Sequence, residues 1–311
     1  MCHWAGGFLA RLFVIFKSMI TPNIKIVRAY YRLLTENGER FGIFPEACIR
    51  GALGYLLMDW VVLYQQAGQS DSLEQTVRLY EALVGEFPNK IVENRTATPP
   101  KNGMLLVRCD GASCSEFLLE LTFFGDYADL LPMFGEALKT LGMEGVGQAG
   151  VHYDVDSQVG VREGFLYDFV CDQIMPESAN VALDFYTPTT LKAYGGIFLN
   201  VWSSDAFARN LWQRLNLLCS SQNVACSMPF TEQQFIEAFV TLKSFSSVEP
   251  VRRGRYSSRQ KKKIDCSGFS GRVVLKDVPK IILTVLLWGE IIAVGKNTTF
   301  GNGRYRLQLL D

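Results

Sequence analysis

Two distant segments of the chain end in the same way, each reading as a helix, a glycine-rich turn and a strand. The first is EALKTLGMEGVGQAGVHYDV at residues 136–155, and the second is LLWGEIIAVGKNTTFGNGRYRL at residues 286–307. In both, the spacing of apolar residues changes from helical to alternating across the glycines. A closing unit that occurs twice predicts two domains built on the same plan.

Apolar periodicity and turn residues predict the element order β-α-β-β-α-β in each half. In the first half we predict a strand over residues 24–35, helices from Pro45 and from Ser72, strands over 104–109 and 117–124, a helix over 128–141 and a strand over 151–155. In the second half we predict a strand over 181–186, helices from Ser204 and after Thr231, a strand over 269–275, a helix from Pro279 and a terminal strand.

This order is the ferredoxin-like arrangement. The predicted fold class is therefore α+β, with two tandem ferredoxin-like (RRM-like) domains and a C-terminal Gly-rich loop. We expect an N-terminal extension over residues 1–20, a first domain over 21–172 and a second domain over 178–311. Within the first domain, Ser72 and Gln75 have the spacing of a capping box, which predicts a helix that begins at Ser72.

The net charge of zero conceals a strong asymmetry along the chain. Residues 250–311 carry 13 Lys and Arg against 4 acidic residues, a balance of +9, so residues 1–249 carry −9. A concentrated positive charge indicates a polyanion partner for the C-terminal part. The densest run is VRRGRYSSRQKKK, and its candidate RNA-binding residues are Arg252, Arg253, Arg255, Arg259 and Lys261. The alternative is a solvated loop without a ligand.

The terminal loop VGKNTTFGNGR has glycines that allow backbone N–H groups to approach an anion, with a basic residue near each end. Its candidate RNA-binding residues are Gly295, Lys296, Asn297, Thr298, Gly301, Gly303 and Arg304. A nucleotide-binding P-loop is excluded, because Glu290 stands where that motif requires a glycine. The alternative interpretation is a tight helix-to-strand connection with no ligand.

Four segments of the chain resemble one protein family. They are the terminal VGKNTTFGNGRYRL, the basic stretch RYSSRQKKKIDCSGFSGRVVLKD, the first helix IFPEACIRGALGYLL, and LDFYTPTTLKAYG at the start of the second half. The family is that of the CRISPR-associated RAMP proteins, specifically the endoribonucleases that process precursor CRISPR RNA. The resemblance extends over most of the chain after about residue 20.

The resemblance implies cleavage of a CRISPR repeat RNA, single-stranded or folded as a hairpin, without a metal ion or other cofactor. In that reaction a 2′-OH attacks the adjacent phosphate and leaves a 2′,3′-cyclic phosphate and a 5′-OH. Such chemistry needs a base, an acid and cations at the phosphate. The resemblance leaves two other interpretations open: a non-catalytic RAMP subunit that binds CRISPR RNA in an interference complex, and a general RNA-binding module.

The candidate catalytic residues depart from the better-known family members, several of which have a histidine on the first helix. This chain has Arg50 in that region, and its two histidines are His3, in the extension, and His152. Histidine suits acid–base work because its pKa lies near neutrality. The catalytic candidates are therefore His152, Tyr31, Tyr30 and Arg50. Alternatively, His152 packs on its strand and Arg50 pairs with Glu46 one helical turn away.

Location and partners are expectations of the same kind. The eight cysteines form no CxxC pair, which indicates thiols in a reducing cytoplasm. The apolar N-terminal stretch contains Arg11 and Lys17, so we expect no membrane span and no membrane partner. The resemblance implies CRISPR repeat RNA as the partner, and it leaves other CRISPR effector subunits and a homodimer open.

Overall fold

The computed structural model describes residues 22–35, 45–85, 103–108, 115–147, 149–170, 175–257 and 262–310. The predicted N-terminal extension, residues 1–20, lies outside the described residues, and so do Arg259 and Lys261 of the basic run.

Among the residues that the structure describes, the first half contains four strands and three α-helices in the predicted order. In chain order they are β1 (Lys25–Thr35), α1 (Pro45–Ala67), α2 (Ser70–Leu83), β2 (Gly103–Arg108), β3 (Glu116–Phe124), α3 (Leu131–Glu144) and β4 (Tyr153–Phe165). The strands form one antiparallel sheet in the order β2-β3-β1-β4. Consecutive strands therefore do not all lie side by side, since β1 separates β3 from β4.

The second half has the same sheet order with more elements. In chain order they are β5 (Ser178–Thr189), β6 (Leu191–Lys192), β7 (Phe198–Leu199), α4 (Ser204–Ser221), α5 (Glu232–Val240), β8 (Ser244–Val251), β9 (Gly254–Ser257), β10 (Lys262–Asp265), β11 (Gly268–Pro279), α6 (Lys280–Ile292) and β12 (Tyr305–Leu310). The main sheet is antiparallel in the order β12-β5-β11-β8. Its two inner strands, β5 and β11, are again the first and third main strands of their half in chain order.

The helices cover one face of each sheet because their apolar stripes need burial. In the first half, α1 contributes Ile49, Leu53 and Leu57, all fully buried, to a core shared with β1, β3 and α3. By length and composition alone α1 could cross a membrane. It packs on α2 and α3.

Helix starts follow the predicted caps at one site and not at another. Thr231 caps α5 with a full capping box to Gln234, because the Thr231 hydroxyl accepts from the Gln234 N–H and the Gln234 side chain accepts in return. The capping box predicted at Ser72 is wrong. Helix α2 begins at Ser70 after Gln69, without a side-chain cap, and the Ser72 carbonyl instead accepts from the Thr76 hydroxyl.

The two halves share one apolar interface. Ile24, Ile26 and Phe124 from the first half belong to the same buried cluster as the core of the second half. The Gln222 side chain, at the end of α4, accepts from the Lys25 N–H at 2.8 Å and donates to the Lys25 carbonyl at 3.1 Å. These contacts hold β1 against the second half, and they fix how residues from the two halves meet.

Most of the described residues of the basic run, 251–257 and 262–263, belong to strands. Strands β9 and β10 pair as a hairpin in which Arg255 lies opposite Ile264. Arg253 and Arg255 are half-buried at its base, whereas Arg252 is exposed. The hairpin therefore directs two of its arginines into the protein and one toward solvent.

Candidate nucleic-acid interface

The C-terminal loop between α6 and β12 is a closely packed turn. Gly295, Gly301 and Gly303 all have positive φ, at 92°, 80° and 76°. A Cβ at Gly303 would overlap the Val294 carbonyl oxygen. The Gly303 carbonyl accepts from the Val294 N–H at 2.9 Å. Glycine is required here by conformation and close backbone packing, as a tight helix-to-strand connection predicts.

The loop residues predicted to contact RNA divide by exposure. Lys296 is exposed, Asn297 is half-buried in the left-handed conformation, and Thr298 is 8% exposed. Asn302 is fully buried and donates to the Cys266 carbonyl at 3.1 Å. Of the predicted loop residues, Lys296 has the side chain best placed to meet a phosphate, while Thr298 supports the turn from inside.

Phe300, in the terminal loop, contacts two guanidinium groups from different parts of the chain. Arg50, from α1, lies 4.6 Å from the Phe300 ring centroid, and Arg255, from β9, lies 4.2 Å from it. The Arg50 guanidinium also donates to the Thr299 carbonyl at 2.9 Å. A cation over an aromatic face is attracted by the quadrupole of the ring, and this attraction is stronger when the pair is shielded from water. Phe300 thereby joins the first helix, the basic hairpin and the terminal loop.

A small apolar core supports this contact. Ala47 and Cys266 are buried together, with Ile264 and Phe300 packed against them. Burial lowers the pKa of Arg253, and the nearby Glu46 carboxylate opposes that effect. We call the set Glu46, Arg50, Arg253, Arg255 and Phe300 the loop–helix junction.

Exposed cations border the loop–helix junction. A depression of about 580 Å³ runs along the base of the basic hairpin, and Asn200, Arg252, Arg253 and Asp265 contribute to its lining. Lys296 is exposed in the adjoining loop, where its charge acts on Asp265. Arg252 lines this depression, and Lys296 acts on Asp265, which also lines it.

Arg304 does not fit the phosphate contact predicted for it. Its side chain is 3% exposed, and its Nη1 donates to Glu120 Oε1 at 2.6 Å. Arg28 pairs with the same carboxylate oxygen at 2.8 Å. Burial alone would raise the pKa of Glu120, but the charges of Arg304 and Arg28 lower it to about 2. Arg304 is thus half of a buried ion pair between the two halves of the chain.

His152 lies at the same edge of the first sheet as the start of α1. The glycine-rich turn before it packs on that helix, because a Cβ at Gly147 would lie 3.7 Å from the Cys48 sulfur. The His152 side chain is exposed, and its Nδ1 lies 3.1 Å from the Met143 carbonyl oxygen. Because a carbonyl can only accept, Nδ1 carries the proton, so in the neutral ring Nε2 is the atom that can take up a proton.

The two tyrosines occupy opposite faces of β1, well away from His152. Tyr31 is 2% exposed, packs on Phe134 at 5.3 Å between ring centroids, and has its pKa raised by burial. That environment does not fit the predicted acid–base role. Tyr30 is half-buried on the other face, 5.8 Å from the Arg28 guanidinium. Tyr153, the neighbour of His152, pairs with Thr35 on β1. Thr35 is five positions from Tyr30, or roughly 17 Å at the usual strand rise.

Arg50 is not the helix-surface residue that the alternative interpretation expects. It is 6% exposed and covered by Phe300. Its guanidinium therefore holds the terminal loop, which fits a positioning role better than direct contact with a phosphate.

Sequence reasoning missed Phe300 and Glu120. Phe300 is the one aromatic residue in a polar, glycine-rich loop, a signal that could have marked it as a buried anchor. Glu120 carries no such signal, because its partner Arg304 lies 184 residues away in the chain. Within the described part of the chain, no group of three or more His, Cys, Asp or Glu side chains could hold a metal ion.

Comparisons with known proteins agree with this architecture. Residues 183–305 match the family model described as CRISPR-associated endoribonuclease Cas6. A search of curated proteins by sequence found no match.

Three solved structures share the fold at low sequence identity. The Cas6 (TTHA0078) product complex matches with TM-score 0.52 and 19% identity, over 91% of this chain and 99% of that one. The Cas6 (TTHB231) product complex, a Thermus thermophilus protein, matches with TM-score 0.52 and 16% identity, over 93% and 100%. A partial Cas6-RT-Cas1–Cas2 complex matches with TM-score 0.51 and 11% identity, over 94% of this chain and 47% of that one.

These findings confirm the resemblance to the CRISPR-associated RAMP endoribonucleases, because the chain carries the Cas6 family pattern over residues 183–305 and shares the Cas6 fold over more than nine-tenths of its length.

Proposed function

We propose that this protein is an endoribonuclease that processes precursor CRISPR RNA by cutting within the repeats. The observation that carries the proposal is the match of residues 183–305 to the Cas6 endoribonuclease family. The solved relatives TTHA0078 and TTHB231 are described as product complexes. The exposed Lys296 and Arg252 beside the loop–helix junction support an RNA ligand.

The reaction that we propose is an attack by a 2′-OH on the adjacent phosphate, which needs no metal ion. The 2′-oxygen gives its proton to a base and bonds to phosphorus while the bond to the 5′-oxygen breaks. The departing 5′-oxygen takes up a proton from water, giving a 2′,3′-cyclic phosphate and a 5′-OH. His152 Nε2 is our candidate for the base on the 2′-OH. Lys296 is our candidate cation for the charge that develops on the phosphate oxygens.

Arg50 has a different role in this proposal. Because it donates to the Thr299 carbonyl and covers Phe300, it holds in place the terminal loop that carries Lys296. The relative position of the two halves then matters for catalysis, since His152 comes from the first half and Lys296 from the second. A site built from two halves needs both held in one geometry.

The fold that serves this function is proposed to be two tandem ferredoxin-like domains over residues 21–172 and 178–311. The two sheet orders, β2-β3-β1-β4 and β12-β5-β11-β8, support this assignment. Both correspond to the order 4-1-3-2 when the main strands of each half are counted from its start, and both are antiparallel throughout.

A non-catalytic RAMP subunit that binds CRISPR RNA is the second candidate. It is favoured by the engagement of Arg50 with the terminal loop and by the absence of a histidine from α1. The Cas6-RT-Cas1–Cas2 complex among the similar structures supports other CRISPR subunits as partners in either case. We also propose that the protein is located in the cytoplasm, where it would encounter precursor CRISPR RNA.

The test is incubation of the purified protein with end-labelled repeat RNA in excess EDTA. A cut that yields a 2′,3′-cyclic phosphate and a 5′-OH would support the endoribonuclease. Tight binding without cutting, with or without Mg²⁺, would instead support the RNA-binding subunit. A cut that requires Mg²⁺ and leaves a 5′-phosphate would contradict the proposed mechanism.

A further inference from the structure

The short hairpin formed by β6 and β7 presents grouped apolar side chains to solvent. Tyr194 is 88% exposed, Ile197 63% and Phe198 50%, and all three lie within five residues. Single exposed apolar residues are ordinary, whereas several grouped together mark an interaction surface. We call Tyr194, Ile197 and Phe198 the aromatic tip.

The aromatic tip stands on an ordered backbone. The Ala193 N–H donates to the Ile197 carbonyl at 2.8 Å. Asn210, from α4, clamps the base of the hairpin, because its side chain accepts from the Lys192 N–H at 3.1 Å and donates to the Lys192 carbonyl at 2.9 Å. A surface that is already ordered loses little conformational entropy when it binds a ligand.

Positive charge lies next to the aromatic tip. The Lys296 ammonium is 4.2 Å from the centroid of the Phe198 ring. The Lys296 N–H also donates to the Thr190 carbonyl at 2.9 Å, so the terminal loop and the hairpin are joined directly. Two residues beyond Phe198, Asn200 lines the same depression as Arg252. The aromatic tip, Lys296 and Arg252 therefore lie along one surface.

Flat aromatic rings beside cations have the chemistry of a single-stranded nucleic-acid site. Unpaired bases stack on aromatic side chains, while cations pair with the phosphates between the bases. Paired RNA offers no free base faces to such a surface. Lys192 pairs with Phe198 across the hairpin, and both Lys192 and Lys296 are exposed. These cations near Phe198 fit a polyanion better than an uncharged apolar partner.

We propose that the aromatic tip binds unpaired nucleotides of the RNA, with one base on Tyr194, one on Phe198, and neighbouring phosphates at Lys296 and Arg252. This inference rests on the proposed function, because it names the part of that RNA, its single-stranded flank, that this surface takes. It adds a base-stacking subsite outside the loop–helix junction.

The test is an abasic scan of the unpaired flank of the repeat RNA, read by fluorescence anisotropy. The RNA carries a 2′-deoxy sugar at the mapped cut position, so that binding is measured without cleavage. The proteins are the wild type, the double variant Tyr194→Ala, Phe198→Ala, and the control Val201→Ala. Val201 is 55% exposed next to the same hairpin, so its substitution removes apolar surface without removing an aromatic ring.

We expect two positions in the flank at which loss of the base weakens wild-type binding about 5- to 150-fold. The same abasic substitutions should weaken binding by the double variant less than about twofold. Val201→Ala should bind as the wild type does. The slope of log Kd against log salt should be unchanged in the double variant, because no phosphate contact is removed.

The outcomes separate this inference from the proposed function. If the wild type binds no repeat RNA, both fail together. If the wild type binds repeat RNA but the double variant binds equally well, the subsite is wrong and the proposed function is not affected. The subsite is also wrong if each abasic position weakens binding by the wild type and by the double variant equally.

Discussion

Glu120 Oε1, on β3 of the first half, lies 2.6 Å from Arg304 Nη1, at the start of the last strand of the second half. Arg28, on β1, approaches the same oxygen at 2.8 Å. The Arg304 side chain is 3% exposed and that of Glu120 13%, so water screens the pair little. This contact ties the end of the Gly-rich loop to the first sheet.

Replacement of Glu120 should destabilise the protein strongly. Glu120→Gln keeps the shape but leaves the buried Arg304 charge without its counter-ion, so we expect a loss of about 3–5 kcal/mol in the free energy of unfolding. Urea denaturation measures it. The control is Glu136→Gln, which breaks an exposed pair with Lys139 and should cost less than about 1 kcal/mol. Equal losses in the two variants would contradict the structural role of Glu120.

The same pair predicts how stability depends on pH. The pKa of Glu120 is about 2 in the folded protein and about 4.3 when unfolded. Its contribution is therefore complete above about pH 4.5 and is lost as the pH falls toward 2. The difference in unfolding free energy between wild type and Glu120→Gln should be constant from about pH 5 to 7 and shrink below about pH 4.5. A constant difference down to about pH 3 would refute this assignment.

Lys296 and Arg304 should behave differently although both are basic residues of the terminal loop. Lys296→Ala should weaken RNA binding and reduce the magnitude of the salt slope by about 0.7–0.9, the value for one lost phosphate contact. The unfolding free energy of Lys296→Ala should stay within about 0.5 kcal/mol of the wild type. Arg304→Leu should instead lower the urea midpoint of unfolding. Parallel titrations with repeat RNA in increasing KCl measure the slopes, and an unchanged slope for Lys296→Ala would remove it from the RNA interface.

Phe300 should anchor the terminal loop through Arg50 and Arg255. Phe300→Ala removes the ring between the two guanidinium groups, with an expected cost of about 1–3 kcal/mol. Hydrogen exchange at the amides of Phe300 and Gly301, which donate to Asn297 and Thr298, should become faster. Phe300→Leu is the control that keeps apolar packing without the ring, and its exchange should be intermediate. Exchange at the wild-type rate in Phe300→Ala would show that the loop is held by other contacts.

His152 should contribute to cleavage and not to binding. We expect His152→Ala to lower the single-turnover cleavage rate about 10²- to 10⁴-fold, the usual contribution of a general base, with little change in Kd. The matched control is His3→Ala, which removes the other histidine of the chain. Cleavage by His152→Ala at the wild-type rate would exclude it as the base.

Elements with a local signal could be predicted from the sequence. The helix predicted from Pro45 is present as α1 over Pro45–Ala67, and Thr231 caps α5 as its spacing with Gln234 indicates. Both signals act within a few residues of the chain. The sequence predicts a strand over residues 151–155, whereas β4 runs from Tyr153 to Phe165. The C-terminal half of β4 is exposed on both faces, so it lacks the alternation of apolar and polar residues that marks a strand.

The candidate site is less predictable because it depends on contacts between distant segments. The sequence predicts the same role for Lys296 and Arg304, and it does not show that Arg304 turns inward to Glu120 while Lys296 is exposed. Tyr30 and Tyr31 are adjacent in sequence, and strand geometry sends them to opposite faces. Burial of one and not the other follows from the helices that cover a single face of the sheet.

The central claim is that this protein cuts repeat RNA through a 2′-OH without a metal ion. The most direct measurement is cleavage of labelled repeat RNA in excess EDTA, beside the same RNA with one 2′-deoxy sugar at the cut position. We predict one discrete cut that the single deoxy substitution abolishes. Cleavage that persists in the 2′-deoxy RNA, or tight binding without any cut, would contradict the claim.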